Sequence, residues 1–404
     1  MNTSELARRD KFQFSMLLND KRYRSYTFQF FALFILICAM AYLGKNLLEN
    51  LAAAGLNISY SFLGEPSGYD INQRLIEYNS QSTHLRASIV GVLNTLLVAF
   101  LGCIAATFFG VTAGILRLSN NWIVAKLMMI YVEIFRNVPV LIWILIIHSV
   151  FLAFLPQPKA FRGDNPEATM LWDAFAFTGR GFYIPKPVFN DGSLIVIITF
   201  ILSIIGVFAF RYYARQKLYS EGKLLETRWT SVAIFFIPTI LIYFALGNPI
   251  TLEYPELKGF NFKGGIHARG SLISLWFALS IYTGAFIAEV VRAGIQSVDK
   301  GQSEAAGALG MRPNFIMNLV ILPQALRVIV PPLISFYLNI TKNSSLALAV
   351  GYMDITGTLG GITLNQTGRA IEAVLLLMLF YLVISLSISA IMNVYNRSIM
   401  LKER

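Results

Sequence analysis

The sequence predicts an all-α, polytopic membrane protein, and three observations carry that prediction. Apolar runs of membrane-spanning length recur along the 404 residues, hydrophobic residues make up 56% of the chain against 14% charged, and the charges gather between the runs. A soluble domain of this length carries far more charge around its core. A helix needs about 20 mostly apolar residues to cross the hydrocarbon, and about 18 is the lower practical limit.

Eight stretches meet that requirement: Phe28–Leu48, Ser88–Leu116, Val138–Leu155, Ser193–Phe210, Trp229–Gly247, Ser271–Val291, Val328–Tyr352 and Ala370–Tyr395. The first follows a mostly polar segment and is too long for the apolar region of a cleavable signal, with no small-residue cleavage site, so it reads as a retained span. The second carries Gly102, Ala106, Gly110 and Gly114 at intervals of four, a small-residue ridge that lets another helix approach closely in lipid. The sixth ends beside Glu289 at its cytoplasmic edge, and the seventh is interrupted near its middle by Thr341-Lys-Asn-Ser-Ser345.

Orientation follows from the Lys and Arg bias of the connecting segments. Placing residues 1–27, 117–137, 211–228, 292–327 and 396–404 in the cytoplasm puts essentially the whole formal charge of +11 on that side, with both termini cytoplasmic. These basic residues adjoin spans, so their counterpart is membrane lipid and not nucleic acid. Glu49–Ala87 and Pro156–Gly192 become long polar external segments, able to dock a partner or to serve only as solvated connectors.

Several chemistries find no support. Cys38 and Cys103 both lie inside apolar runs, and His84, His148 and His267 are far apart, so neither a disulfide framework nor a metal site is expected. Paired carboxylates and a Ser-centred site are equally lacking, which leaves no catalytic set, and there is no glycine-rich phosphate loop. A secondary transporter or channel acting without an ATPase would need its own coupling residues. Beyond Lys342 and Glu289 the spans show no charged network.

Two polar segments stand out. Ser297-Val-Asp-Lys-Gly-Gln-Ser-Glu-Ala-Ala-Gly-Ala-Leu-Gly310 is alanine-rich, with Gly310 as a left-handed stop and Pro313 beyond. It reads as a short helix with Glu304 near its start, where the helix dipole favours a carboxylate, and a smooth face of Ala305, Ala306 and Leu309. Such a helix suits insertion into a partner's groove, and equally serves as a plain connector. The second segment surrounds Lys342, roughly 20 Å along a helix from Val328. A lysine at mid-depth costs roughly 2.5–3.5 kcal/mol and demands a compensating environment, which is where transporters with interrupted helices bind substrate. The alternative is a lysine that snorkels outward while Asn339, Asn343, Ser344 and Ser345 bond a neighbouring helix.

Glu304-Ala-Ala, with Gly310 six residues beyond Glu304 and Ile321-Leu322-Pro323 further on, resembles the EAA motif of ATP-binding-cassette importer permeases. The run from Ala288-Glu289-Val-Val-Arg292-Ala-Gly294-Ile through Gly301-Gln302 to Leu322-Pro323-Gln324-Ala325-Leu326-Arg327 is similar to the polar amino-acid branch, as is Tyr131-Val-Glu133-Ile-Phe135-Arg136-Asn137-Val-Pro139. The resemblance implies a five-helix permease core. On that reading, residues 1–87 hold a tail, an extra span and an external loop. Residues 88–155 and 271–404 hold the two parts of the core, and residues 156–270 an external loop and two extra spans.

The resemblance further implies an inner-membrane importer subunit working by alternating access. A cytoplasmic ATPase dimer would bind ATP and Mg, with no cofactor on this chain. The other partners are a second permease subunit, a periplasmic amino-acid-binding protein and an amino-acid substrate. Gly301, Glu304, Ala305, Ala306, Leu309 and Gly310 would form the coupling helix, and Asn339, Lys342, Asn343, Ser344 and Ser345 the substrate path. Where the family often reads Lys-Asp-Thr-Ser-Leu, this chain reads Lys342-Asn343-Ser344-Ser345-Leu346, losing the carboxylate that would select a cationic side chain. That favours neutral, acidic or mixed substrates, or a pocket on the partner. A homodimer and a heterodimer both supply two coupling helices; the extra spans favour the heterodimer of the broad-specificity importers.

Overall fold

The computed structural model describes residues 18, 20–55, 57–163 and 165–399. The outermost parts of both predicted cytoplasmic termini therefore lie outside the described residues. Eight helices are long and apolar enough to cross a membrane, and each overlaps one predicted span.

The described chain falls into two compact units that part between Phe62 and Leu63. The first contains helix α1 (Lys21–Ala53), whose surface is almost wholly exposed hydrophobics such as Phe30, Phe34 and Ile37. In a membrane protein that is the signature of a lipid-facing or partner-facing helix.

The second unit is organised around two long helices, α2 (His84–Leu116) and α7 (Gly270–Gln296), which pack along one another. The glycine ridge explains their closeness. A Cβ added at Gly110 would stand 2.5 Å from Cβ of Ile287, and one at Gly114 would stand 2.7 Å from the Ala288 carbonyl. Neither distance is sterically possible, so these positions require glycine for the helices to meet. Gly102 faces Ile340 of α10 (Leu322–Asn343), where an added Cβ would stand 3.1 Å from the Ile340 side chain, a tight contact that does not by itself demand glycine. The core between α2, α7 and α10 consists of Ala106, Ile287, Val291, Ile329, Leu333 and Ile340.

Helix α4 (Val140–Phe154) packs on the other flank of α7, with Ile144 buried among Val98, Leu275 and Leu279. Helices α5 (Ser193–Glu221) and α6 (Thr227–Ala245) pair with one another through Phe200 and Phe235, whose rings lie 5.4 Å apart. After the one-turn helix α11 (Leu364–Thr367), helix α12 (Ala370–Ile399) packs on α10 and on a π-helical segment, Thr356–Thr363.

Three features go beyond the sequence reading. Residues 117–137 were expected to be a cytoplasmic connector, yet Trp122–Asn137 forms helix α3, capped by the Asn121 side chain. Its amphipathic pattern buries Val132 against Ala113, Ala285 and Ala288, and Tyr131 Oη donates to the Ile281 carbonyl at 2.7 Å. Periodicity escaped notice because the helix, at 16 residues, is shorter than a span.

The seventh span begins at Pro313 and not at Val328. Pro323 does not interrupt it, because it lies in the first turn of α10, where a missing N–H is tolerated. Between Leu155 and Gly270 the chain adds seven short strands to an otherwise helical fold. These are β1 (Ala176–Thr178), β2 (Gly181–Ile184), β3 (Lys186–Phe189), β4 (Ile250–Glu253), β5 (Glu256–Lys258), β6 (Asn261–Lys263) and β7 (Ile266–Arg269). They form one antiparallel sheet ordered β1-β2-β7, a hairpin β5-β6, and an antiparallel pair β3-β4 whose strands are joined through α5 and α6. A strand of three or four residues leaves too short an alternation to read from sequence.

Candidate substrate path and coupling helix

The alanine-rich segment folds as helix α8 (Lys300–Ala308). Its N-cap is Asp299, whose side chain accepts from the Gly301 N–H at 2.6 Å, so Glu304 sits mid-helix and not at its start as expected. The Asp299 carboxylate takes the place at the positive end of the helix that the sequence reading gave to Glu304. Gly310 adopts φ 76° and stops the helix as expected, with the Met311 N–H closing on the Ala306 carbonyl at 3.2 Å.

The predicted smooth face divides. Gly301, Glu304, Ala305 and Leu309 are exposed, Leu309 at 83% of its surface, whereas Ala306 is buried at 5%. Helix α8 packs on α9 (Pro313–Ile316) and on the π-helical turn Met317–Ile321, and Ala306 is the residue it turns inward. Ala306 therefore holds the helix down, and the surface open to a partner is Glu304, Ala305 and Leu309.

At the far end of α10, the helix tightens after Asn343 into a 3-10 segment, Ser344–Val350, stopped by Gly351 at φ 71°. Here too the predicted residues separate. Asn339 and Lys342 are exposed, and Asn343 and Ser345 are half-buried. Ser344 is fully buried, contrary to a place on the path: its Oγ donates to the Thr341 carbonyl at 2.8 Å and lies 3.4 Å from Asp354 Oδ2. Ser345 Oγ donates to the Lys342 carbonyl at 2.7 Å. The one-residue step from Asn343 to Ser344 rotates the side chain about 100° around the axis, which takes it from the outer face to the core.

The residues that anchor this end were missed. Asp354 accepts from the Gly357 N–H at 2.8 Å and from Tyr381 Oη at 3.4 Å, linking the 3-10 segment to α12. Burial pushes its carboxyl up to about 6, against the lowering effect of the Gly357 and Ser344 hydrogen bonds. Asn94 donates to the Gln73 and Met353 carbonyls at 2.7 and 2.8 Å, Thr95 Oγ1 accepts from the Ile355 N–H at 3.1 Å, and Tyr352 Oη donates to the Asn94 carbonyl at 3.0 Å. A Cβ at Gly91 would lie 2.2 Å from Thr358 Oγ1, so only glycine admits this contact. The available signal was a polar Asn-Thr pair inside an apolar run.

Glu289, expected to stand alone at a span edge, is the centre of a charged network. Its carboxylate pairs with Arg117, just past the end of α2, and with Arg292 on α7, and Arg136 on α3 approaches at 4.0 Å. Arg136 also lies over the Phe286 ring, 5.4 Å from its centroid. One carboxylate thus ties three helices together just before α8.

Residues 227–401 match the family described as "Binding-protein-dependent transport system inner membrane component". The glutamate/glutamine/aspartate/asparagine transport system permease protein BztB of Rhodobacter capsulatus is 48% identical over 97% of this chain and 97% of its own. The general L-amino acid transport system permease protein AapQ of Rhizobium johnstonii is 41% identical over 97% and 96%. The putative amino-acid ABC transporter permease protein YhdX of Escherichia coli is 41% identical over 98% and 99%. With the eight spans and near full-length similarity at this level, the chain belongs to the inner-membrane permease subunits of amino-acid ATP-binding-cassette importers.

Proposed function

We propose that this subunit forms one half of a heterodimeric permease that imports acidic and neutral L-amino acids, with the substrate passing along one face of α10. The observation that carries this reading is an exposed polar stripe on an apolar helix. Ser335, Asn339 and Lys342 all lie exposed within about 60° of one another around α10. Facing lipid, Lys342 in the last turn of α10 would carry a desolvation penalty, and among the described residues it has no ion-pair partner. A water-filled path beside a second permease subunit removes that penalty and gives the cation a use: it attracts a substrate carboxylate. Asn343, half-buried beside it, offers a neutral donor and acceptor to a zwitterion.

On this reading Glu304, Ala305 and Leu309 dock onto one of two cytoplasmic ATPase subunits, which bind the ATP and Mg. A periplasmic binding protein delivers the amino acid to the opposite end, and both termini lie in the cytoplasm. ATP-driven closure moves α8, and the helices around Asn343 rock between outward-open and inward-open arrangements. The range of substrates is supported by the names of the BztB and AapQ relatives, which include both acids and amides or L-amino acids generally.

Mass spectrometry of the intact complex, purified from its native membrane, tests the reading. One copy of this 45.2 kDa chain beside a different permease chain and two ATPase chains is expected. Two copies of this chain with no second permease would remove the heterodimer, and absence of any ATPase would remove the importer.

A further inference from the structure

At the end of α7 opposite α8, a polar cavity of about 430 Å³ opens between the end of α4, the β1-β2-β7 sheet and Gly351. Helix α7 begins at Gly270 on its wall and runs 27 residues, about 40 Å, before the chain turns into α8. In an importer this is the outward side. The elements inserted between α4 and α7 supply Arg180, Asn261, His267 and Arg269; the helical core supplies His148 and Ser271.

The charge in this cavity is of one sign. Neither Asp nor Glu is among its lining residues, and Arg180 and Arg269 have no ion-pair partner among the described residues. Each guanidinium is held by backbone instead. Arg180 Nη1 donates to the Phe260 carbonyl and Arg269 Nε to the Asn72 carbonyl, both at 3.3 Å, which positions the groups without neutralising them. The Arg269 N–H also donates to Gln73 Oε1 at 3.1 Å, tying the end of β7 to the segment before α2.

The wall itself is closely packed. The His267 ring stacks on Tyr183 at 4.1 Å and 9°, with Nε2 3.3 Å from the Arg180 carbonyl. Burial first, and the Arg269 charge second, hold that imidazole below its usual range. A Cβ at Gly181 would fall 2.3 Å from the Ala268 carbonyl and 2.8 Å from His267 Nε2, so the turn bearing Arg180 is pinned against β7. Gly270, the first residue of α7, donates its N–H to that same Arg180 carbonyl at 3.1 Å. Two guanidinia without a carboxylate partner, lining one cavity beside the positive end of a long helix, suit an anion.

We propose that this cavity captures the carboxylate of the amino-acid substrate as the binding protein releases it, before the substrate reaches α10. The inference rests on the importer reading above. A carboxylate matches the planar fork of a guanidinium, and every L-amino acid carries one, so the site would hold the shared group and leave the side chain unselected. A cavity of this size has room for that side chain beyond the two arginines. The proposed ligand is the free amino acid; an acidic face of the binding protein is the alternative that the test separates from it.

The test uses the whole importer with its binding protein in liposomes, with L-glutamate and L-glutamine uptake measured for wild type, Arg269→Gln, Arg180→Gln and Arg269→Lys. At saturating binding protein, the maximal rate for both substrates should fall about tenfold in Arg269→Gln, as for loss of a hydrogen bond to a charged group, with partial recovery in Arg269→Lys. The binding-protein concentration at half-maximal rate should stay unchanged. A rise in that concentration with an unchanged maximum would assign the arginines to docking an acidic face of the binding protein and overturn the proposal. So would unchanged kinetics in both glutamine variants. Arg180 is exposed on a turn, so Arg180→Gln keeps the question answerable if Arg269→Gln fails to assemble. No uptake by the wild-type complex would instead defeat the importer reading.

Discussion

Ser344 Oγ lies 3.4 Å from Asp354 Oδ2, inside a layer of packing where neither side chain reaches solvent. The contact joins the end of α10 to the segment that leads into α12, and it divides the polar run around Lys342. Asn339, Lys342 and Asn343 remain on the outer side, while Ser344 becomes part of the scaffold that holds them.

The pH dependence of stability should report on that contact. Burial raises the Asp354 carboxyl from 3.8 to about 6, so between these values the folded protein holds a proton that the unfolded chain has released. Stability is then highest below about pH 4, declines as pH rises to about 6, and is flat beyond; the full change is about 3 kcal/mol. Thermal unfolding of the purified complex from pH 4 to 7 should show this decline, and Asp354→Asn should remove it. Parallel profiles for the two proteins would mean that Asp354 is not the group responsible.

The proposed coupling helix α8 makes a prediction that depends on two adjacent alanines. Ala305 is exposed and Ala306 is buried, so the same bulky substitution should fail in different ways. Ala305→Trp should abolish co-purification of the ATPase while leaving the unfolding temperature of the permease unchanged. Ala306→Trp should overpack the contact of α8 with the turn at Met317–Ile321 and destabilise by about 1–3 kcal/mol. If both variants lose only ATPase binding, Ala306 contacts the partner and its burial is not the governing fact.

Much of this was legible in the sequence, and what was not has a physical explanation. The spans show because lipid demands long apolar runs, and the ridge from Gly102 to Gly114 shows because close helix packing excludes side chains. Gly310 was readable as a stop because a left-handed residue after a helix is commonly glycine. Burial within a polar segment was not readable: Ser344 and Ala306 differ from their exposed neighbours by one step around a helix, and only tertiary packing decides which step turns inward. The partners of Glu289 and Asp354 were hidden because Arg117 and Tyr381 are distant in sequence.

Glu289 gives a third prediction, through unequal partners. Glu289→Gln leaves the Arg117, Arg292 and Arg136 charges together without their carboxylate, at the junction of α2, α3 and α7. The site is partly exposed, so a loss of about 1–3 kcal/mol is expected in place of the larger penalty of a dry interior. Arg136→Ala removes only a contact at 4.0 Å and should change stability by less than about 1 kcal/mol. Denaturation of the solubilised complex compares them; equal losses would mean that Glu289 does not act as the common anchor. Transport should also fall more than ATP hydrolysis in Glu289→Gln, because α7 leads directly into α8.

The last prediction concerns charge along the proposed substrate path. Asn343 is half-buried next to the exposed Lys342, and among the described residues no acidic side chain pairs with that lysine. Asn343→Asp would add an anion of nearly the same size at a half-buried position beside the proposed path. It would offset the attraction of Lys342 for substrate carboxylates and offer a partner to a cationic side chain. Competition against labelled glutamine uptake should therefore shift, with arginine and lysine gaining potency by about tenfold and glutamate losing a comparable amount. The isosteric change keeps packing intact, so total uptake should persist and the result will read selectivity alone. Preserved uptake with an unaltered competition profile would place the selecting groups on the second permease subunit, and the stripe on α10 would then be an interface and not a path.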